Sequence, residues 1–243
     1  MAAARVAAMT EGQGPPPPPS EPPAQPPPPP PGYQPPEAAP PAGPTGRYPV
    51  DYEVDYVRER SRLTTFFRII LAIPWIIVAY LYEIVGFVLA IVAWIVVVII
   101  GRYPQTLYEW NSGILRFFTS LGGFVYLATD AWPPFGWNQS PTQPQRLLIA
   151  SPAERQSRLK VFFRLILAIP VLIIAYPLNY LANATAVASW LTIVFRGYQP
   201  EWLQNVTVFA LKWHARAGGY LLLLTDIYPP VGEDAPTVAA ATA

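Results

Sequence analysis

Ser61-Arg-Leu-Thr-Thr-Phe-Phe-Arg-Ile-Ile-Leu-Ala-Ile-Pro74 returns 96 positions later as Ser157-Arg-Leu-Lys-Val-Phe-Phe-Arg-Leu-Ile-Leu-Ala-Ile-Pro170. Working outward, the correspondence runs without a gap from Arg62–Gly136 to Arg158–Gly232. Trp94, Gly101 and Pro104 meet Trp190, Gly197 and Pro200, and Thr129-Asp130 and Pro133-Pro134 recur as well. A period this long marks a duplicated domain rather than a solenoid. Each copy carries a long apolar run, so the duplication reads as a repeated membrane module.

Composition agrees. The chain has 243 residues, 52% hydrophobic and 13% charged, against about 25% charged in a typical soluble domain. A net charge of +1 gives no general nucleic-acid footprint. There is no cysteine, which removes disulfides, thiolate chemistry and sulfur metal sites. The single histidine, His214, cannot build a histidine cluster and reads as interfacial filler. No metal or cofactor is expected. Met1 to Gly14 has no apolar core of the kind a cleaved signal peptide needs, so insertion would rest on internal segments.

Five regions follow. Residues 1–46 read as a disordered proline-rich tail, with proline runs at 15–19 and 26–31 that favour polyproline II. Residues 47–138 form membrane repeat 1, 139–144 a linker, 145–232 membrane repeat 2, and 233–243 a second disordered tail. From Tyr48 to Tyr56 apolar and acidic residues alternate, which predicts a short strand. Gln145–Ala150 is its counterpart. A lone strand is unstable, so the two are expected to pair with each other or with a neighbour.

Phe66–Ile100 has only Arg68 and Glu83 charged. As one helix it would be about 52 Å long, against a hydrocarbon core of about 30 Å. We therefore expect a transmembrane hairpin, turning at Tyr80-Leu-Tyr-Glu-Ile84 in repeat 1 and near Pro177, Asn179 and Asn183 in repeat 2. Glu83 would sit in the solvated turn. A third segment, 107–127 and again 203–223, is amphipathic. Leu107, Trp110, Ile114, Phe117, Phe118 and Leu121 fall on one side; Glu109, Ser112, Arg116, Thr119 and Ser120 fall on the other. It is expected to lie in the membrane interface, with a third span as the rival reading.

The fold class expected is thus all-α integral membrane, with two tandem repeats. Each would be a helical hairpin plus an interfacial helix, preceded by a short strand. Basic residues flank both apolar runs and are absent from the turns, so four spans would put every cation on the cytoplasmic side. The expected location is the cytoplasmic (inner) membrane, multi-pass, with both termini in the cytoplasm.

The two quoted segments, with Thr129-Asp-Ala-Trp-Pro-Pro-Phe135 and Thr225-Asp-Ile-Tyr-Pro-Pro-Val231 at the ends of the copies, resemble a bacterial membrane family known as domain of unknown function 4389. Trp132 stands where that family usually has tyrosine, and Val231 where it has phenylalanine. The resemblance implies a membrane location and carries over no catalytic residue.

The polar residues singled out are Arg62, Arg68, Arg158 and Arg164, as headgroup contacts or anchors, and Asp130 and Asp226, as partners for Arg68 and Arg164 or as turn-shaping groups. The leading functional reading is non-enzymatic: a structural or interaction module. Its partners would be the lipid bilayer, including anionic lipids, and a protein docking the proline-rich tail; homo-oligomers are compatible with it. A small transporter or channel built on repeats and a membrane-embedded lipid enzyme are the alternatives.

Overall fold

A computed structural model describes residues 48–134, 143–153 and 155–230. The tails at 1–46 and 233–243 and most of the linker at 139–144 lie outside the described residues. The elements are β1 (Val50–Val54), α1 (Arg62–Phe66), α2 (Arg68–Ile100), α3 (Gln105–Val125), β2 (Gln145–Ile149), α4 (Arg158–Phe162), α5 (Arg164–Arg196) and α6 (Glu201–Leu221). The protein is mostly helical, and its second half repeats the element order of the first.

The hairpin inside each apolar run is not present. Both α2 and α5 are unbroken helices of 33 residues, about 50 Å long at 1.5 Å per residue. The reason is packing. Ala72, Ala79, Gly86 and Ala93 are buried and recur every seven residues, so small side chains form one seam along two-turn steps. That seam lies on α3, with Gly86 against Ile114 and Ala79 against Phe117 and Leu121. A turn at Tyr80–Ile84 would break it. Pro74, Pro170 and Pro177 are absorbed within the helices, each removing one backbone donor. Glu83 is therefore a mid-helix residue, exposed beside the seam.

The chain reverses instead at Gly101 and Gly197. Both sit in the left-handed region (φ 76° and 81°) and close the long helices, and Pro104 and Pro200 precede α3 and α6. Glycine past the last turn with proline soon after is a helix stop. Each long helix thus folds back antiparallel on its amphipathic partner. A second break was not foreseen: Phe67 and Phe163, with ψ near 7°, separate the short α1 and α4 from the long helices.

The amphipathic helices also differ from expectation. Ile114, Phe117 and Leu121 do face one way, but onto α2. On the opposite side Ser112 and Ser120 are buried at 2% and 1% exposure. What buries them is a β-ribbon. β1 and β2 pair antiparallel, Val50 with Ile149 and Tyr52 with Leu147. Tyr52 and Gln145 press on Gly123, Val50 presses on Gly219, and Gln145 donates to the Ser120 carbonyl at 3.1 Å. Three layers result: the ribbon, then α3 beside α6, then α2 and α5.

The register shows how the copies are related. Advancing Val50 by 96 gives Arg146, and moving its partner Ile149 back by 96 gives Glu53. Glu53 and Arg146 are themselves partners. The two repeats are therefore exchanged by a pseudo-two-fold axis through the ribbon. The contact of α3 with α6 obeys the same symmetry, Leu115 meeting Gly218 and Gly122 meeting Leu211.

Candidate functional site

The sequence-selected arginines divide into two kinds. Arg68 and Arg164 open the long helices yet are only 3% exposed. A helix C-terminus leaves its last carbonyls without intrahelical donors. Arg68 Nη1 donates to the Phe124 carbonyl at the end of α3 and to the Thr129 carbonyl in the turn beyond it, and Nη2 to Asp130 Oδ1. Arg164 does the same with Tyr220, Thr225 and Asp226, the last at 3.0 Å. Each guanidinium also stacks over a ring, Phe124 at 4.4 Å and Tyr220 at 4.1 Å from the centroid. The cation answers the negative end of the helix as well as its open carbonyls.

The turns so held are strained. Leu127 and Leu223 have φ of 63° and 64°, a left-handed conformation that branched side chains seldom adopt. The other carboxylate oxygen of each aspartate is also used. Asp130 Oδ2 accepts from the Ser61 amide and Asp226 Oδ2 from the Ser157 amide, both at 3.2 Å. Each Arg–Asp pair thus ties together the start of a short helix, the start of a long helix and the end of an inner helix. Arg60 extends the first clamp, donating to the Ala128 carbonyl and to Gln204 of the other repeat. Burial pushes its guanidinium below the usual arginine range, against the opposing pull of Asp130.

Arg62 and Arg158 are exposed and serve the opposite copy. Arg158 donates to the Ile100 carbonyl at 3.1 Å, and a Cβ on Gly101 would meet its Nε at 2.8 Å. Arg62 lies the same way over Gly197. The chain before each short helix bonds there too, Gln156 N to the Gly101 carbonyl and Arg60 N to the Gly197 carbonyl. Trp94 stacks on Phe162 as Phe66 stacks on Trp190. The copies are therefore interlocked at both ends.

These two junctions are not equal. Around Gly101 a cavity of about 330 Å³ is lined by Arg102, Arg155 and Arg158. The corresponding positions around Gly197 are Tyr198, Glu59 and Arg62. Only the first is a basic pocket. A further asymmetry lies under the ribbon, which sequence reasoning missed. Asp51, 1% exposed, takes Lys212 at 3.1 Å and Arg216 at 3.2 Å. The alternation that marked β1 showed Asp51 as an outward acid; only the packing of α6 on β1 reveals it as an inward one.

A smaller cavity of about 170 Å³ lies between α3, α6 and α5, lined by Leu115, Phe118, Tyr126, Asn179, Leu211 and His214. His214 Nδ1 is 2.7 Å from the Ala210 carbonyl, within its own helix. Burial raises the Tyr103 and Tyr108 hydroxyls to about 12 and the Tyr52 hydroxyl further. Among the described residues no group of three or more His, Asp or Glu could hold a metal ion.

A family model for a domain of unknown function, DUF4389, matches residues 62–136 and again 158–232. The chain belongs to the DUF4389 family, in two tandem copies. No curated protein matches it, and no solved structure does. Each DUF4389 match begins at the exposed arginine of a junction and ends just past the Arg–Asp clamp. The clamp therefore lies within both copies, whereas the ribbon lies outside both matched segments.

Proposed function

We propose that this DUF4389 protein is a non-enzymatic module of the cytoplasmic membrane whose partner is the lipid bilayer. One observation carries the reading. Outside the seam, α2 and α5 present aliphatic and aromatic side chains to the surroundings, with Ile69 at 79% and Leu165 at 73% exposure. Both helices are long and apolar enough to cross a membrane, yet little of either is buried within the fold. A soluble monomer rarely exposes such an apolar face. The alternative of a helix buried in a soluble core does not fit surfaces so open.

The basic pocket of Arg102, Arg155 and Arg158 supports an affinity for anionic headgroups, since guanidinium matches phosphate in geometry and charge. The proline-rich segment 1–46 would carry the interaction function, as a ligand for an aromatic groove on a cytoplasmic protein. Membrane fractions washed at alkaline pH and high salt test the reading. The full chain should stay with the lipid and leave it only in detergent. Release by the wash would overturn the proposal.

A further inference from the structure

We infer that the two long helices do not span the bilayer but lie flat within one leaflet, with the pseudo-two-fold axis along the membrane normal. This rests on the membrane reading above and says how the membrane is met.

The interlocked junctions set the directions of the helices. The end of α2 at Gly101 lies at the start of α4 and α5, and the end of α5 at Gly197 lies at the start of α1 and α2. The two long helices therefore run antiparallel. A two-fold rotation preserves direction along its own axis and reverses it across that axis. Helices that it exchanges and that point oppositely must lie across it. The antiparallel pair α3 and α6 lies across it too.

The ribbon decides how that axis meets the membrane. β2 runs along α3, with Gln145 beside Gly123 at one end and Ala150 bonded to Tyr108 at the other. The strands thus flank the middle of the helices. If α2 and α5 spanned, a two-stranded sheet with two open edges would sit at membrane depth. Hydrocarbon does not tolerate unpaired strand edges. Glu53, Asp55 and Arg146, all partly exposed on that ribbon, would enter the apolar core as well. Turning the axis upright removes both conflicts. The ribbon then faces water, α3 and α6 lie beneath it, and α2 and α5 form the immersed face.

The side chains agree. Projected at 100° per residue, Ile70, Ile77, Leu81, Ile84, Val88 and Ile95 all lie on the side of α2 away from its seam, and all are exposed. Glu83 lies beside the seam instead. No Lys or Arg occurs from Ile69 to Ile100 or from Leu165 to Phe195. A helix of about 50 Å exceeds a core of about 30 Å, but in the plane its length meets no limit. Nothing then needs to be carried across, so the leaflet is the cytoplasmic one.

The chain lacks cysteine, which permits single-site labelling of the full protein. Nitroxide labels at Ile70→Cys, Ile84→Cys and Ile95→Cys, in vesicles of mixed neutral and anionic lipid, report depth directly. A flat helix gives three equal, shallow depths. A spanning helix places position 84 near the bilayer centre and the other two near opposite surfaces, which would overturn the inference. In sealed vesicles, a membrane-impermeant maleimide should reach Arg58→Cys and Arg102→Cys from the same side. Reaction from opposite sides would restore spanning, inverted repeats and with them a transporter-like arrangement. Failure of the membrane reading looks different: the protein would not sediment with vesicles, and all three nitroxides would report water.

Discussion

Repeat 1 and repeat 2 have the same clamp and different surroundings. Arg68 with Asp130 and Arg164 with Asp226 engage equivalent carbonyls, equivalent amides and equivalent rings. Beneath the ribbon the copies part. Asp51 corresponds to Leu147, Arg216 to Ser120 and Lys212 to Arg116, so an ion cluster in one copy is matched by a leucine, a serine and a single arginine in the other. At the junctions, a basic pocket faces one that holds an acid and a tyrosine. What closes a helix end is alike in both copies, because an open carbonyl accepts few substitutes. What only packs or only faces solvent has diverged.

The largest expected effect tests the alike part. Arg68→Ala or Arg164→Ala would leave two buried carbonyls without their donor and a partly exposed aspartate without its cation. Each buried carbonyl left unsatisfied costs about 1–3 kcal/mol, so the two together cost about 2–6 kcal/mol. Thermal unfolding in detergent should fall by similar amounts for the two variants, and lysine, lacking the planar fork, should not restore either. A loss in only one copy would break the equivalence.

Second comes the asymmetric cluster. Asp51→Leu installs the residue that the other copy has and leaves Arg216 buried without its carboxylate. We expect about 3 kcal/mol of destabilisation. Adding Arg216→Ser, again the other copy's residue, should recover part of it, because the double variant no longer buries a guanidinium without its carboxylate. The double-mutant cycle measures this; simple additivity would deny the pairing.

The smallest effect separates two glycines at the α3–α6 contact. A Cβ on Gly218 would meet Leu115 Cδ1 at 2.7 Å, whereas one on Gly122 would meet Leu211 Cδ2 at 3.5 Å. Gly218→Ala should cost about 1 kcal/mol from overpacking, read as a drop in Tm. Gly122→Ala should be neutral, or slightly stabilising through helix propensity. Equal behaviour would mean that the contact is as symmetric as the clamp.

The sequence by itself determined the duplication, the family, the long apolar runs, the paired strands and the Arg–Asp positions. Each of these is local or strictly periodic. Repetition, hydropathy and alternation can all be read along one dimension. It even held the true reversal points: Gly101 with Pro104 and Gly197 with Pro200 were among the repeated residues, and a left-handed glycine before proline stops a helix. A length argument drawn from bilayer thickness outweighed that signal and placed a turn at Glu83.

The tertiary structure alone decided three things. It kept α2 whole, because a seam of small residues has meaning only once α3 lies on it. It turned Asp51, Ser112 and Ser120 inward, because the ribbon packs on α3 and α6, where Lys212 and Arg216 meet the buried Asp51 carboxylate. And it crossed the copies, so that each arginine junction closes the other repeat's helix. All three depend on which surfaces meet across long separations in sequence, and periodicity along the chain carries no record of that.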